Sequence, residues 1–309
     1  MRLVFAGTPT TAVPSLDALV DDGHEIVAVL TRDDAKVGRS RALTPSPVAA
    51  RAHELGLHVI KSNRMTPEVT EELTGLGAEL GVIVAYGALI DAATLTAPSL
   101  GWINLHFSLL PDLRGAAPAQ RAVMRGDTTT GMTIFQLTAG LDEGPIFAVQ
   151  HSPIGEEETA GDLLERLAGE GAAFLTRTVG AICSGTLSAE PQTGEATFAP
   201  KLGKHDSIID WAAPLDLVEA HIRGVTPEPG AVAQVDGQPL RILRVARPDV
   251  AADAPTLTPG QLGAVGKDVF VGTGTGPLRL LSVQPAGKKP MPARDWLRGR
   301  RDAATLVLA

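Results

Sequence analysis

Across roughly the first two hundred positions, short segments rich in apolar residues alternate with segments whose apolar positions recur every three or four residues. Leu3 to Ala6, Ile26 to Leu30, Leu57 to Ile60, Leu80 to Ala85 and Trp102 to Leu105 have the length and apolar content of strands buried on both faces. Between them, a stretch ending near Asp22 sets Val13, Leu16, Leu19 and Val20 at helical spacing. Ser46 to Gly56 opens with Pro47 in its first turn, and residues 66–75 are again helical. Such alternation predicts an α/β fold, a Rossmann-like, mostly parallel sheet with helices on both faces. Ligands of these sheets bind beyond the carboxyl ends of the strands. That rule sets Gly7, Ala85-Tyr86-Gly87 and His106 along one rim. A helix over 117–125, strands over Met132–Leu137 and Ile146–His151, and a long helix over Gly161–Cys183 complete the pattern.

Further on the period changes. Pro191, Gly194, Pro200 and Gly203 punctuate a stretch that reads as a linker. After one helix around Leu215–Arg223 come short β-like runs at Ala231–Val235, Leu240–Val245, Asp268–Gly272 and Leu278–Val283. They predict a smaller C-terminal OB-like β-barrel domain. At 309 residues the chain is long for one core. The expected division is a catalytic domain over 1–188, a linker over 189–205 and a β-barrel domain over 206–309.

Composition narrows the function classes. A single cysteine, Cys183, excludes an intrachain disulfide framework and a multi-cysteine metal cluster, and it fits a reducing compartment. Its place in the apolar pattern of a helix end predicts a buried structural thiol. No run approaches 18 apolar residues, and the first thirty lack a basic region followed by an apolar one. The expectation is a soluble, cytoplasmic protein. The net charge of −8 argues weakly against nucleic acid, yet the charge is uneven: residues 1–205 carry −9 and residues 206–309 carry +1. Lys288, Lys289, Arg294, Arg298, Arg300 and Arg301 face only Asp295 within 286–301, a strip able to meet a polyanion or simply to be a solvated helix.

The chemistry concentrates where Trp102 to Leu105 carries polar groups. Asn104 and His106 sit two residues apart, so an amide and an imidazole project from the same face of a strand. Polar groups there are costly unless they are used. The turn after the first strand lacks the further glycines of a dinucleotide loop, no phosphate loop occurs, and the seven histidines show no metal-ligand spacing. No Gly-x-Ser-x-Gly elbow is present. What remains is a metal-free, non-covalent acyl-transfer set of Asn104, His106 and an acid. The best acid is Asp142, in the glycine-bracketed run Gly140-Leu-Asp-Glu-Gly144. Taken alone, a histidine at a strand end is more often structural.

Asn104-Leu-His-Phe-Ser-Leu-Leu-Pro111 followed by Leu141-Asp-Glu-Gly144 resembles the signature of the 10-formyltetrahydrofolate-dependent formyltransferases. The resemblance runs from end to end and is specific to members that formylate methionyl-tRNA. Its segments include Val4-Phe-Ala-Gly-Thr-Pro9, Leu43-Thr-Pro-Ser-Pro47, Val84-Ala-Tyr-Gly87 and Arg114-Gly-Ala-Ala-Pro-Ala-Gln120. Ala199-Pro-Lys-Leu202, Ile209-Asp-Trp211 and Gln284-Pro-Ala-Gly-Lys-Lys289 extend it, the last being confined to the tRNA-acting members.

The resemblance implies catalytic roles for Asn104, His106 and Asp142 with no metal, and 10-formyltetrahydrofolate as formyl donor. The pterin is expected against Ala88, Leu89 and Ile90 and the Ala139-Gly140 loop, with Ser108, Leu109, Leu110 and Pro111 completing the folate site. The other substrate it implies is initiator methionyl-tRNA, met by Arg39 and Arg41 in the loop from Arg32 to Leu43 and by Lys201, Lys204, Lys288 and Lys289. A monomer without membrane contact is expected. Thr10-Thr11, Asp33-Asp34 and Glu228 depart from the usual pattern. An amino-sugar formyltransferase, a formyl-folate hydrolase and a non-catalytic tRNA-binding protein are the competing readings.

Overall fold

A computed structural model of the chain describes residues 1–37, 42–248, 254–300 and 306–309. Its contacts group into two units, the first made of Met1–Pro118, Thr130–Ser152 and Leu164–Ala199, the second of Ala119–Thr129, Pro153–Leu163 and Pro200–Ala309.

The strands of the first part of the chain are β1 (Arg2–Gly7), β2 (Glu25–Thr31), β3 (Ala35–Val37), β4 (Ala42–Thr44), β5 (Val59–Lys61), β6 (Leu80–Val84), β7 (Trp102–His106), β8 (Thr129–Gln136) and β9 (Ile146–Pro153). Seven of them form one sheet in the order β5-β2-β1-β6-β7-β8-β9, while β3 and β4 make a separate hairpin. Pairing is parallel from β5 through β7, and β8 runs antiparallel to β7. The sheet is thus Rossmann-like and mostly parallel, with an antiparallel flank.

The helices here are α1 (Val13–Asp21), α2 (Pro47–Glu54), α3 (Pro67–Gly75), α4 (Ala92–Leu95), α5 (Pro118–Arg125) and α6 (Ala160–Cys183). Their starts follow from local chemistry. Ser46 Oγ accepts from Ala49 N, and Thr66 Oγ1 from Val69 N, each just ahead of a proline in the first turn. Trp102, fully buried, anchors β7 by packing in the cluster of Val4, Ala6, Leu30 and Ile83, and its Nε1 donates to Thr94 O at 2.8 Å. Cutting it to alanine would cost ~3–5 kcal/mol. Cys183 does not meet the expectation of a buried thiol. It lies exposed at the end of α6, where the helix has run past the core.

The second unit is built on an antiparallel sheet of β10 (Ala231–Val235), β11 (Gln238–Ala246), β12 (Leu262–Val265), β13 (Asp268–Gly272) and β14 (Pro277–Pro285), in the order β10-β11-β14-β13-β12, with β15 (Met291–Pro292) paired to β14. Helices α7 (Leu215–Val225) and α8 (Ala293–Arg298) share its core, which includes Trp211, Val218, Ile222, Val271, Leu278 and Trp296. The chain end joins the two edge strands. Gln234 and Ala309 exchange backbone hydrogen bonds of 2.7 and 3.0 Å, Leu262 N donates to Leu306 O at 3.0 Å, and Leu308 N donates to Gly260 O at 2.8 Å. The tail thereby covers part of each edge strand.

Candidate functional site

β7 carries Asn104 and His106 on the same face, paired in register with Phe135 and Thr133 of β8. Asn104 is half-buried, and His106 is only 5% exposed. The imidazole is held from two sides. Its Nε2 lies 3.0 Å from the carbonyl oxygen of Leu113. A carbonyl only accepts, so Nε2 carries the proton and donates. Its Nδ1 then faces the Asp142 Oδ2 atom at 3.8 Å, too far for a direct hydrogen bond. The edge of Phe135 completes the walls, at 86° to the imidazole and 6.3 Å between centroids. Burial holds the imidazole below its ordinary value of 6.5, against the smaller opposing pulls of the Asp142 charge and the Leu113 carbonyl. His106 is therefore neutral near pH 7.

The loop that follows β7 is organised by a single buried hydroxyl. Thr133 Oγ1 donates to Ser108 O at 2.7 Å and accepts from Leu110 N at 3.1 Å. Ser108 Oγ in turn donates to Asp112 O at 2.6 Å. Leu113 has a left-handed backbone, φ +59°, stabilised by its N–H donating to Thr197 Oγ1 at 2.9 Å. This conformation belongs to the residue whose carbonyl meets His106. Two residues on, Gly115 has φ +123°, and a Cβ there would stand 2.8 Å from Ala199 O. Only glycine fits. Its N–H donates to Asp142 Oδ2 at 2.7 Å, the same oxygen that faces His106.

Asp142 comes from the loop between β8 and β9 and adopts φ +47°, a region aspartate enters more readily than most residues. The closing Gly144 is fixed by close approach, since a Cβ would lie 1.7 Å from Gln136 O. Gln192 reaches this loop from a later segment. Its Nε2 donates to Asp142 O at 2.8 Å and Gly144 O at 2.9 Å, and its Oε1 accepts from Arg114 Nη2 at 2.6 Å.

Of the folate-site residues expected from sequence, Ala88 and Ile90 follow β6 and pack on the cluster around Val4, Tyr86 and Trp102, as Leu137 does. Leu89 between them turns outward, 85% exposed. Ser108 and Leu110 are buried, Leu109 and Pro111 half-buried, and all four belong to the loop tied by Thr133. Ala139 is exposed and Gly140 half-buried, just ahead of Asp142.

The expected polyanion contacts separate. Arg39 and Arg41 lie outside the described residues. Lys288 and Lys289 sit side by side on the exposed turn between β14 and β15, shaped by Lys288 N donating to Pro285 O at 3.0 Å and Gln284 Nε2 donating to Lys288 O at 3.0 Å. Lys201 and Lys204 are exposed on another segment. Among the described residues these four lysines make no ion pair, whereas Arg294 and Arg298 engage Asp295 and Arg300 engages Asp236.

Leu113, Thr133 and Gln192 join the site without a sequence motif that marks them, and Gly115 enters it from a family-like segment that gave it no role of its own. Leu113 and Gly115 act through backbone groups, which leave no side-chain signature. Thr133, a hydroxyl inside an apolar strand, was the one available signal.

Residues 1–179 match the model of the formyl transferase family, and residues 201–301 match that of the formyl transferase C-terminal domain. The methionyl-tRNA formyltransferase of Clavibacter michiganensis subsp. michiganensis is 54% identical over 299 residues, covering 97% of each chain. That of Leifsonia xyli subsp. xyli is 52% identical over 306 residues, covering 99% of this chain and all of its own. Among solved structures, the N-formyltransferase of Helicobacter canadensis, in complex with folinic acid and dTDP-3-aminofucose, superposes with a TM-score of 0.70 at 17% identity, over 92% of this chain and 99% of that one. That likeness bears on the fold alone.

Proposed function

The chain belongs to the formyl transferase family, among its methionyl-tRNA formyltransferases, and from that premise we propose how its residues divide the work. The reaction moves the formyl group of 10-formyltetrahydrofolate to the α-amine of methionyl-tRNA, leaving tetrahydrofolate. The amine nitrogen attacks the formyl carbon, the carbonyl oxygen becomes an oxyanion, and the bond to N10 breaks. One proton leaves the amine and one arrives at N10.

The observation that carries our assignment is the fixed imidazole. With Nε2–H committed to Leu113, the free lone pair of neutral His106 is on Nδ1, on the side of Asp142. Nδ1 takes the proton of the attacking amine, and the imidazolium so formed is stabilised by the Asp142 carboxylate. Returning that proton to N10 completes the transfer. The Asn104 amide, on the same strand face, donates to the oxyanion, joined by the Nδ1–H once it has formed. Ala88, Leu89, Ile90, Ser108, Leu109, Leu110, Pro111, Ala139 and Gly140 hold the folate. Arg39, Arg41, Lys201, Lys204, Lys288 and Lys289 take the initiator tRNA. Residues 1–188 carry the chemistry and 206–309 the tRNA contacts, joined through 189–205. We place the working unit as a cytoplasmic monomer; among the described residues no helix is long and apolar enough to cross a membrane.

Incubation with 10-formyltetrahydrofolate and aminoacylated tRNA tests the reading. Formyl-methionyl-tRNA should accumulate with initiator tRNA and far less with elongator tRNA, and an amino-sugar nucleotide should stay unmodified. Formylation of the sugar nucleotide in preference to tRNA would overturn the assigned acceptor.

A further inference from the structure

Gln192 falls in the stretch that reads in sequence as a linker, yet its amide is placed like a catalytic support. Both of its N–H groups are used on the carbonyls that bracket the Asp142-Glu143-Gly144 turn, at 2.8 and 2.9 Å, and its oxygen is held by the Arg114 guanidinium at 2.6 Å. Arg114 immediately precedes Gly115, whose N–H holds the Asp142 carboxylate. The turn is thus gripped twice, at its backbone by Gln192 and at its side chain by Gly115, and Arg114-Gly115 supports both grips. Gln192 itself is steadied because Glu190, two residues earlier, exchanges backbone hydrogen bonds of 2.7 and 2.9 Å with Ile146, just beyond the turn.

We propose that Gln192 is a positioning residue for the formyl transfer, setting the separation of Asp142 from His106 by clamping the turn that carries the acid. The proposal rests on the roles given above to His106 and Asp142. Asp142 holds a left-handed backbone at φ +47°, and the Gln192 amide grips its carbonyl from outside the turn. The separation matters because the charge of Asp142 is what opposes the effect of burial on His106. Asp142 supplies the charge that acts on the imidazole, Asp112 and Arg114 flank Leu113 on the loop after β7, and Glu143 and Glu190 are exposed. Asp112 is engaged by Thr197, and Arg114 by Gln192.

Two variants separate the clamp from its anchor. Gln192→Met keeps the shape and removes every hydrogen bond. Gln192→Glu keeps the acceptor for Arg114 but cannot donate to either carbonyl. Both should lower kcat about tenfold to a hundredfold, the scale expected when a catalytic group is misplaced by about an ångström. KM for folate and for tRNA should stay close to wild type. A purely structural residue would lower thermal stability without touching the imidazole, so the deciding readout is the titration of the His106 ring by NMR. In Gln192→Met it should move to lower pH, in the direction shown in full by Asp142→Asn. Wild-type His106 titration in Gln192→Met would overturn the proposal, whatever happens to stability, and so would wild-type kcat in Gln192→Glu. Full activity of Asp142→Asn would instead sink the assigned chemistry, while the His106 titration would still decide the clamp.

Discussion

The imidazole of His106 and the ammonium groups of Lys288 and Lys289 are held in opposite ways. His106 is 5% exposed, fixed through Nε2 and surrounded by a loop in which backbone and side-chain donors are tied one to another. The lysines stand exposed on a turn shaped by two backbone-directed hydrogen bonds. The difference fits the roles proposed for the two regions. Transferring a proton within a bond length demands a group that is preorganised and dry. Meeting phosphates through a cloud of counterions demands only charge in roughly the right place. Loss at the first region should therefore appear in kcat, and loss at the second in tRNA affinity and its salt dependence.

The largest effects lie at the rigid end. His106→Ala, Asn104→Ala and Asp142→Ala should each lower kcat by about 10² to 10⁴ while folate binding persists, as calorimetry with the folate would show. Gly115→Ala comes next. With φ +123° and Ala199 O at 2.8 Å from the new Cβ, it strains the loop by ~1–3 kcal/mol and moves the N–H that holds Asp142. Lower Tm together with lower kcat is the expected pair; a fall in Tm alone would mean that the Gly115 hydrogen bond is dispensable. Replacing Lys288 and Lys289 together by alanine should raise KM for tRNA several-fold at unchanged kcat. Plots of log affinity against log salt should flatten by about 0.7 to 0.9 for each phosphate that is no longer neutralised. An unchanged slope would remove these lysines from the interface.

The smallest effect concerns stability against pH. Burial lowers the titration of His24, His106 and His221 below 6.5 in the folded chain. On acidification the unfolded chain takes up protons near 6.5 while these folded imidazoles stay neutral, so stability is full above that value and falls as pH drops below it. Thermal melts across this range should show Tm declining, with a shallower decline in His106→Gln.

Much of this was legible in the chain itself, for definable reasons. Asn104 and His106 stand out because two polar residues at strand spacing interrupt an apolar run, and Asp142 because glycines bracket it. The parallel sheet follows from the alternation of periods. The antiparallel turn of β8 against β7, the strand β12 and the edge-pairing tail at 306–309 were not legible, since pairing direction and short edge segments depend on distant partners. Gly115 and Leu113 were hidden because their contribution is a backbone N–H and a carbonyl. Gln192 was hidden by its surroundings, as Pro191 and Gly194 advertise a linker. Cys183 misled because an apolar helix pattern continues past the point where the core ends.

The proton acceptor we assign is neutral His106, facing Asp142 through Nδ1. The most direct test of that assignment is kcat/KM for methionyl-tRNA as a function of pH, in the wild-type enzyme and in Asp142→Asn. The ionisation of the substrate amine is common to both and cancels in the comparison. The expected result is an acid limb below 6.5 in the wild type that shifts to still lower pH in Asp142→Asn, because the charge that raised the imidazole has gone, with the plateau lower by about a hundredfold or more. A limb that stays in place, or a plateau that survives, would contradict it.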